Sequence, residues 1–361
     1  MSVLLTQAEP VRLTGSAYER GRRQAELFPE LIDSVRQAVL GRLEAVRTDL
    51  ERPDIRSFLE RQWTFSERRA QGCMEELRGI AAGFSLQAEE LLAYLHLGVS
   101  YDISESGSHE DGCSTWAVST PNGGVLGKNR DFRGEHTVLQ KVFWHSDPAW
   151  LGRTILTVGS LGSPGAYSSG INSDGLAVAD TQISTRDHGV GMLRYFLMSV
   201  LLVSCGTVDE ALNIIAQTDH VGGGALVIAD ATGAVASVEL GHSSVSYTGE
   251  RKRWLGCTNH FVSEELSVTQ QGLPKAAMDT SSRSRFDFLT ETLPKLSDNF
   301  RFSRAVEMMA AHEKSDSAGL CRHGEDGDAF TISASVYNCQ PPTLTFCAGA
   351  ACSGRWQRYV V

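Results

Sequence analysis

The sequence predicts sheets covered by helices, a layered α/β or α+β architecture. Two textures carry that prediction. The first hundred or so residues repeat apolar side chains at helical spacing. From about Ser104 onward short β-like runs dominate, with paired helices between them. A chain of 361 residues allows two domains or one elaborate unit.

Residues 17–49 carry Leu27, Leu31, Val35, Val39, Leu40 and Leu43 at helical spacing; Pro29 is a candidate kink and Arg52-Pro53 a stop. Residues 55–97 read as a second helical stretch, broken near Gly83, with Leu77, Ile80, Leu86, Leu91, Leu92 and Leu95 facing inward. The polar stretch 104–112 reads as an exposed loop and candidate linker. Strands follow at 115–119, 125–128, 138–143, 154–158 and 176–180. A hairpin spans 225–229 and 234–240 around Asp230-Ala231-Thr232-Gly233. Helices are expected at 190–204, 207–218, 282–293 and 303–313, and strands at 331–337 and 343–347. There is no internal repeat and no low-complexity tract.

The chain is 42% hydrophobic and 21% charged, with mean hydropathy −0.16, so it can bury a substantial core. Its formal charge of −10 argues against a nucleic-acid partner, which would need a positive field. No span approaches the ~18–20 apolar residues of a bilayer crossing. The greasiest run, 195–205, reads as a buried helix, and the opening residues lack the pattern of a secretory signal. Eight cysteines (Cys73, Cys113, Cys205, Cys257, Cys321, Cys339, Cys347 and Cys352) are scattered without a CxxC pair. That usage suits reduced thiols and a cytoplasmic location.

Most conventional catalytic motifs are missing: GxSxG, GxxxxGK[ST] and HExxH do not occur, and Gly159, Gly162 and Gly165 are not spaced for a dinucleotide. Cys321-Arg322-His323 with Cys339, Cys347 and Cys352 offers soft metal ligands. The spacing lacks a close pair at both ends, so ordinary buried thiols and no metal are expected. The sharp feature is Asp111-Gly112-Cys113-Ser114-Thr115-Trp116, a cysteine directly after glycine where a strand begins. A thiol that attacks the Gly112 carbonyl gives a thioester by N→S acyl shift, and water then cleaves it. Cys113 would then carry a free α-amine, with an ordinary pKa of about 7.7–8.0, as base for its own thiol. On the residues alone the plainer readings stay open: Gly-Cys before a strand can be structural, Asp131 can pair with Arg130 or Lys128, and Asn259 can cap a turn.

Further motifs follow in order: Gly127-Lys128-Asn129-Arg130-Asp131-Phe132; the strand pair around Asn172-Ser173-Asp174-Gly175; Trp254-Leu255-Gly256-Cys257 leading into Thr258-Asn259-His260-Phe261; and Leu320-Cys321-Arg322-His323 before strands ending at Gly349. Together with Gly15-Ser16-Ala17-Tyr18-Glu19-Arg20-Gly21 at the start of the first helix, this series resembles the isopenicillin N acyltransferase family. That group is also called the C45 autoproteolytic family and includes acyl-CoA:6-aminopenicillanic acid acyltransferase. It belongs to the N-terminal nucleophile (Ntn) hydrolases, with bile salt hydrolase, penicillin V acylase and acid ceramidase as distant relatives.

The resemblance implies an α+β, four-layer αββα sandwich with a helical N-terminal segment. It implies cleavage at Gly112–Cys113, residues 1–112 staying bound as an α subunit and 113–361 forming the β subunit. Cys113 matches the nucleophile, Asp131 the aspartate that positions its amine and thiol, and Asn259 the side-chain donor to the oxyanion. Lys128 falls where bile salt hydrolases carry an arginine, which keeps the charge but not bidentate geometry. Arg285 is the first choice for the family's downstream arginine, with Arg283 and Arg322 as alternatives. His260 and His323 are read as structural, Trp116 and Phe132 as core or pocket wall.

The implied activity is acyl transfer to an amine, or amide hydrolysis, on a small N-acylated molecule such as a β-lactam or amino-acid amide. No bound cofactor is expected; acyl-coenzyme A is a candidate co-substrate. Two rivals stand beside this reading: an unprocessed binding or scaffold protein on the same fold, and a metal protein using the Cys321–Cys352 thiols.

Overall fold

The helical opening predicted for the first hundred residues is cut into several helices, and three of the breaks have a plain local cause. The computed structural model describes residues 4–105, 112–165, 167–248, 252–271, 278–312, 319–324 and 329–361. Two short strands come first, β1 (Leu4–Gln7) and β2 (Val11–Thr14). Helix α1 (Ala17–Leu27) starts at a reciprocal cap: the Glu19 N–H donates to Ser16 Oγ, and the Ser16 N–H to the Glu19 carboxylate. Pro29 ends it rather than kinking it, and α2 (Ile32–Ala45) and α3 (Arg47–Leu50) follow. Pro53 opens α4 (Pro53–Arg69) as its first residue, where its missing N–H costs nothing. Next come α5 (Gln71–Phe84), α6 (Ala88–Leu95) and α7 (Leu97–Ser104), the break between α5 and α6 lying at left-handed Ser85. Of the candidate linker at 104–112, residues 106–111 lie outside the described residues.

Beyond it run β3 (Gly112–Thr120), β4 (Gly123–Phe132), β5 (Gln140–Ser146), β6 (Thr154–Ser160), β7 (Ser169–Asn172) and β8 (Ala177–Thr181). Helices α8 (Arg194–Ser204) and α9 (Val208–Ala216) interrupt, α9 under a Thr207–Glu210 capping box. Strands β9 (Gly224–Ala229), β10 (Val235–Leu240), β11 (Val245–Thr248) and β12 (Trp254–Cys257) lead to α10 (Glu264–Ser267), α11 (Met278–Asp298) and α12 (Phe302–Met309). The last helix stops at Met309, short of its expected end. Strands β13 (Phe330–Cys339), β14 (Pro342–Ala348) and β15 (Arg355–Val360) complete the chain.

These strands build two sheets, ordered β1-β15-β14-β13-β4-β3-β12 and β11-β10-β9-β8-β7-β6-β5-β2. The sheets stack face to face over a core that includes Leu126, Val158, Ile171, Val227, Tyr337 and Phe346. Leu289, Leu293, Val306 and Met309 of α11 and α12 cover the outer face of the first sheet, around Trp116 and Trp356. The outer face of the second packs under α8, α9 and the N-terminal helices. The result is the expected mixed α+β arrangement, four layers in the order α, β, β, α. The N-terminal segment is not purely helical, however. Strand β1 pairs parallel with β15 in one sheet, and β2 pairs parallel with β5 in the other. Strands so short show no clear alternation in the sequence. Among the described residues no helix is long and apolar enough to cross a membrane.

Candidate functional site

Two neighbouring central strands, β3 and β4, carry most of the site. Gly112 pairs with Asp131 and Cys113 with Arg130. Strand alternation then sorts the side chains: Cys113, Thr115, Lys128 and Arg130 face the second sheet, while Ser114, Asn129 and Asp131 face the helical layer. This is why Asp131 does not pair with Arg130 or Lys128, as sequence alone allowed. Arg130 reaches Gln140 Oε1 at 3.0 Å and Ser160 Oγ at 3.2 Å, and Lys128 reaches Asp180.

Cys113 is half-buried and its main chain is held on both sides. Its N–H donates to Asn259 Oδ1 at 2.9 Å, and its carbonyl accepts from Arg285 Nη1 at 2.7 Å. Arg285, buried on α11, also donates to Ser114 Oγ and Asn259 Oδ1, each at 2.9 Å. Asn259 stands just past the end of β12, the neighbour of β3, and gives its amide nitrogen to the Gln182 carbonyl at 2.8 Å. Burial pushes the Cys113 thiol above its ordinary range; Lys128 pulls the other way, while Asp180 and Asp131 reinforce the rise.

Asp131 is fully buried and accepts from Thr331 Oγ1 at 2.7 Å; Arg322 Nη1 lies 3.6 Å from its other oxygen. Burial raises its pKa above the usual carboxylate range, against the pull of Arg285 and Arg322. Gly112 is wedged into the same group of charges. A Cβ there would lie 2.5 Å from Arg322 Nη1 and 3.2 Å from Asp131 Oδ2, so a side chain at the junction would displace the Arg322 guanidinium.

The structure therefore brings together Gly112, Cys113, Asp131, Asn259 and Arg285. Of the alternative arginines, Arg322 joins the site at Asp131, whereas Arg283 is exposed. Two residues apart on one helix, Arg283 and Arg285 point in nearly opposite directions. Thr258 Oγ1 and Ser282 Oγ lie 3.2 and 2.8 Å from His260 Nδ1, a structural placement. Trp116 belongs to the core under α11.

Lys128 belongs to a buried triad that the sequence reading missed. Its Nζ donates to Asp180 Oδ1 at 2.6 Å and to the Ser168 carbonyl at 3.1 Å, and Arg194 Nε donates to Asp180 Oδ2 at 2.7 Å. Burial alone would raise the Asp180 pKa, but Lys128 and Arg194 outweigh it and hold it below the ordinary range. The available signal was a lone acid ending the apolar run Ala177-Val178-Ala179. Asp180→Ala would leave two buried cations uncompensated and should cost about 3–5 kcal/mol. Urea unfolding checks this: the midpoint should fall clearly, and an unchanged midpoint would contradict the triad's role.

The cysteines weighed as soft metal ligands do not all converge. Cys339 lies in the core between the sheets, and Cys347 Sγ contacts Ser353 Oγ at 3.2 Å. The side chains that do converge are His312, Cys321, His323 and Cys352, with ligand atoms all within 4.8 Å of one another. Elsewhere, a cavity of about 270 Å³ lined by Arg20, Glu76, His145 and Trp150 shares no residue with the Cys113 site.

Residues 118–352 match the family model of acyl-coenzyme A:6-aminopenicillanic acid acyl-transferase. That span includes Lys128, Asp131, Asn259, Arg285 and Arg322 and begins just past Cys113. No curated protein matches the chain in sequence. Among solved structures, the chain is similar to two single-residue variants of conjugated bile acid hydrolase from Clostridium perfringens. They are 12% and 13% identical, with TM-scores of 0.43 and 0.46, each over 69% of this chain and 97% of the hydrolase. It is also similar to penicillin V acylase from Agrobacterium tumefaciens, at 14% identity and TM-score 0.36, over 65% of this chain and 82% of the acylase.

Proposed function

Since the chain belongs to the acyl-coenzyme A:6-aminopenicillanic acid acyl-transferase family, we propose that it is a self-processing cysteine acyltransferase or amidohydrolase of the Ntn type. One observation carries this reading. Both main-chain polar groups of Cys113 are held by side chains, Asn259 and Arg285, with Asp131 beside the preceding glycine. An ordinary strand cysteine has no need of that grip.

In processing, Cys113 Sγ attacks the Gly112 carbonyl carbon and passes its proton to the departing Cys113 nitrogen. The C–N bond breaks as the C–S bond forms. Water then hydrolyses the thioester, leaving a Gly112 carboxylate, a free thiol and the Cys113 α-amine. In turnover the amine takes the thiol proton, the thiolate attacks a substrate amide carbonyl, and the leaving amine departs with that proton. Water or a second amine resolves the acyl-Cys113 thioester. An amide nitrogen carries two N–H groups, so Asn259 can keep one on Gln182 and offer the other to the oxyanion.

Cleavage would not release residues 1–112. They contribute a strand to each sheet and apolar side chains such as Leu77, Ile80 and Leu91 to the core beneath the second. The fragment therefore stays as a bound α subunit. Small acyl donors and amines are the proposed partners, acyl-coenzyme A among the donors.

A test with two arms separates transfer from hydrolysis. Acyl-coenzyme A with candidate amines is supplied in one, and N-acyl amines with water in the other. Turnover in either arm that disappears in Cys113→Ala supports the proposal; turnover that survives in Cys113→Ala defeats it.

The raised pKa of Asp131 gives a pH prediction. A carboxyl group with a raised pKa gains its proton at higher pH, so the cleavage rate should fall in acid from above the ordinary aspartate range. Thr331→Val removes a hydrogen bond that favours the carboxylate, and should move this acid limb to still higher pH. Cleavage followed by gel densitometry across pH reads both; an unmoved limb would show that Asp131 ionisation does not control the step.

A further inference from the structure

We propose that His312, Cys321, His323 and Cys352 bind a single zinc ion in a structural site next to the Cys113 centre. The His323 Nε2 atom lies 3.2 Å from His312 Nε2, 3.3 Å from Cys352 Sγ and 3.7 Å from Cys321 Sγ. Tetrahedral zinc with ordinary Zn–N and Zn–S bonds has edges of about 3.3 Å between nitrogens and about 3.6 Å between nitrogen and sulfur. The three distances fall around those edges. Two imidazoles and two thiols are also a donor set that suits zinc, and hard oxygen-seeking cations have nothing to bind there.

The backbone presents these ligands in advance. Asn129, fully buried on β4, donates to the Met309 carbonyl at 2.9 Å and the Leu320 carbonyl at 3.0 Å. It thus ties together the approaches to His312 and Cys321. The Cys321 N–H donates to the Ala311 carbonyl at 2.9 Å. Gly319 permits this close return, because a Cβ there would lie 2.3 Å from the His312 carbonyl carbon and 2.4 Å from Ala311 O. Cys352 arrives from a separate segment, the single turn Ala351–Ser353 after β14. Buried Cys321 and half-buried Cys352 form the inner side of the site, and exposed His312 and His323 the outer. Binding forms two Zn–S and two Zn–N bonds and releases both thiol protons to solvent.

The placement has a consequence. Cys321 and His323 flank Arg322, whose guanidinium lies against Asp131 and Gly112. Metal bound on both sides would fix Arg322 over the Gly112–Cys113 junction. That consequence rests on the proposed self-cleavage, whereas metal content does not.

The experiment uses the full chain, purified reduced, stripped with chelator and titrated with Zn²⁺ and with Co²⁺. The expected result is one metal per chain, with Co²⁺ giving intense visible bands of tetrahedral geometry and a thiolate charge-transfer band. Cys352→Ser should lose about half of the thiolate charge-transfer intensity, Cys321 supplying the rest, and His312→Asn and His323→Asn should each weaken binding at least about tenfold. The two histidines are exposed, so their variants test the site even if Cys352→Ser fails to fold. No stoichiometric binding by folded, reduced protein overturns the proposal, as does full binding in His312→Asn with His323→Asn. A persistent Cys321–Cys352 disulfide, read as two missing thiols, also overturns it. A chain that binds zinc but never cleaves keeps the metal site and loses the self-cleavage reading; a chain that cleaves but binds no zinc does the reverse.

Discussion

Cys113→Ala is expected to yield one uncut chain of 39.2 kDa whose amide-bond turnover is lower by about 10⁴-fold or more. The thiol is both the group that severs the backbone and the group that would carry the acyl intermediate, so one substitution removes both. The fold should survive. What grips this residue is hydrogen bonding to its N–H and carbonyl, from Asn259 and Arg285, and alanine keeps both main-chain groups. Mass spectrometry, circular dichroism and a turnover assay on the same preparation give the three readings. A folded Cys113→Ala protein that still cleaves, or still turns over, would rule this cysteine out.

Asn259→Ala should lower kcat by about 10²–10³-fold, the usual cost of losing one oxyanion donor, with a smaller change in KM. Asn259→Asp is the informative companion. It keeps an oxygen to accept from the Cys113 N–H and from Arg285 Nη2, both now at 2.9 Å, but removes the donor and adds negative charge. If Asn259 only positions Cys113, the aspartate variant should retain most activity. If it stabilises the oxyanion, both variants should lose kcat alike, and that is the expected outcome. Steady-state kinetics on processed protein decides, with the extent of cleavage measured first.

Much of this site was legible because its parts are local in sequence. Gly112-Cys113 opens a strand, Asp131 ends the next, and Asn259 follows Trp254–Cys257, so each marks a strand end that sheet pairing aligns. The choice among arginines was not legible. Arg283 and Arg285 share one helix, and only the packing of α11 on β3 and β12 shows which faces inward. The Lys128–Asp180–Arg194 triad was missed for a related reason, since its members come from β4, β8 and α8, and charge pairing across layers leaves no spacing to read. His312 was missed in the same way, although Cys321, His323 and Cys352 were already named as possible ligands. Their separations fail the usual pattern of paired ligands, and Asn129 with the close return at Gly319 brings them together. In the fold, β1 and β2 went unseen because four-residue strands at sheet edges carry too little alternation.

Self-cleavage at Gly112–Cys113 is checked by sequencing the N-terminus of the larger fragment from purified protein. Two fragments of about 12 and about 27 kDa are expected, the mass of the whole chain apportioned by length, the larger beginning Cys-Ser-Thr-Trp. A fully active preparation in which Gly112 is still joined to Cys113 would contradict it.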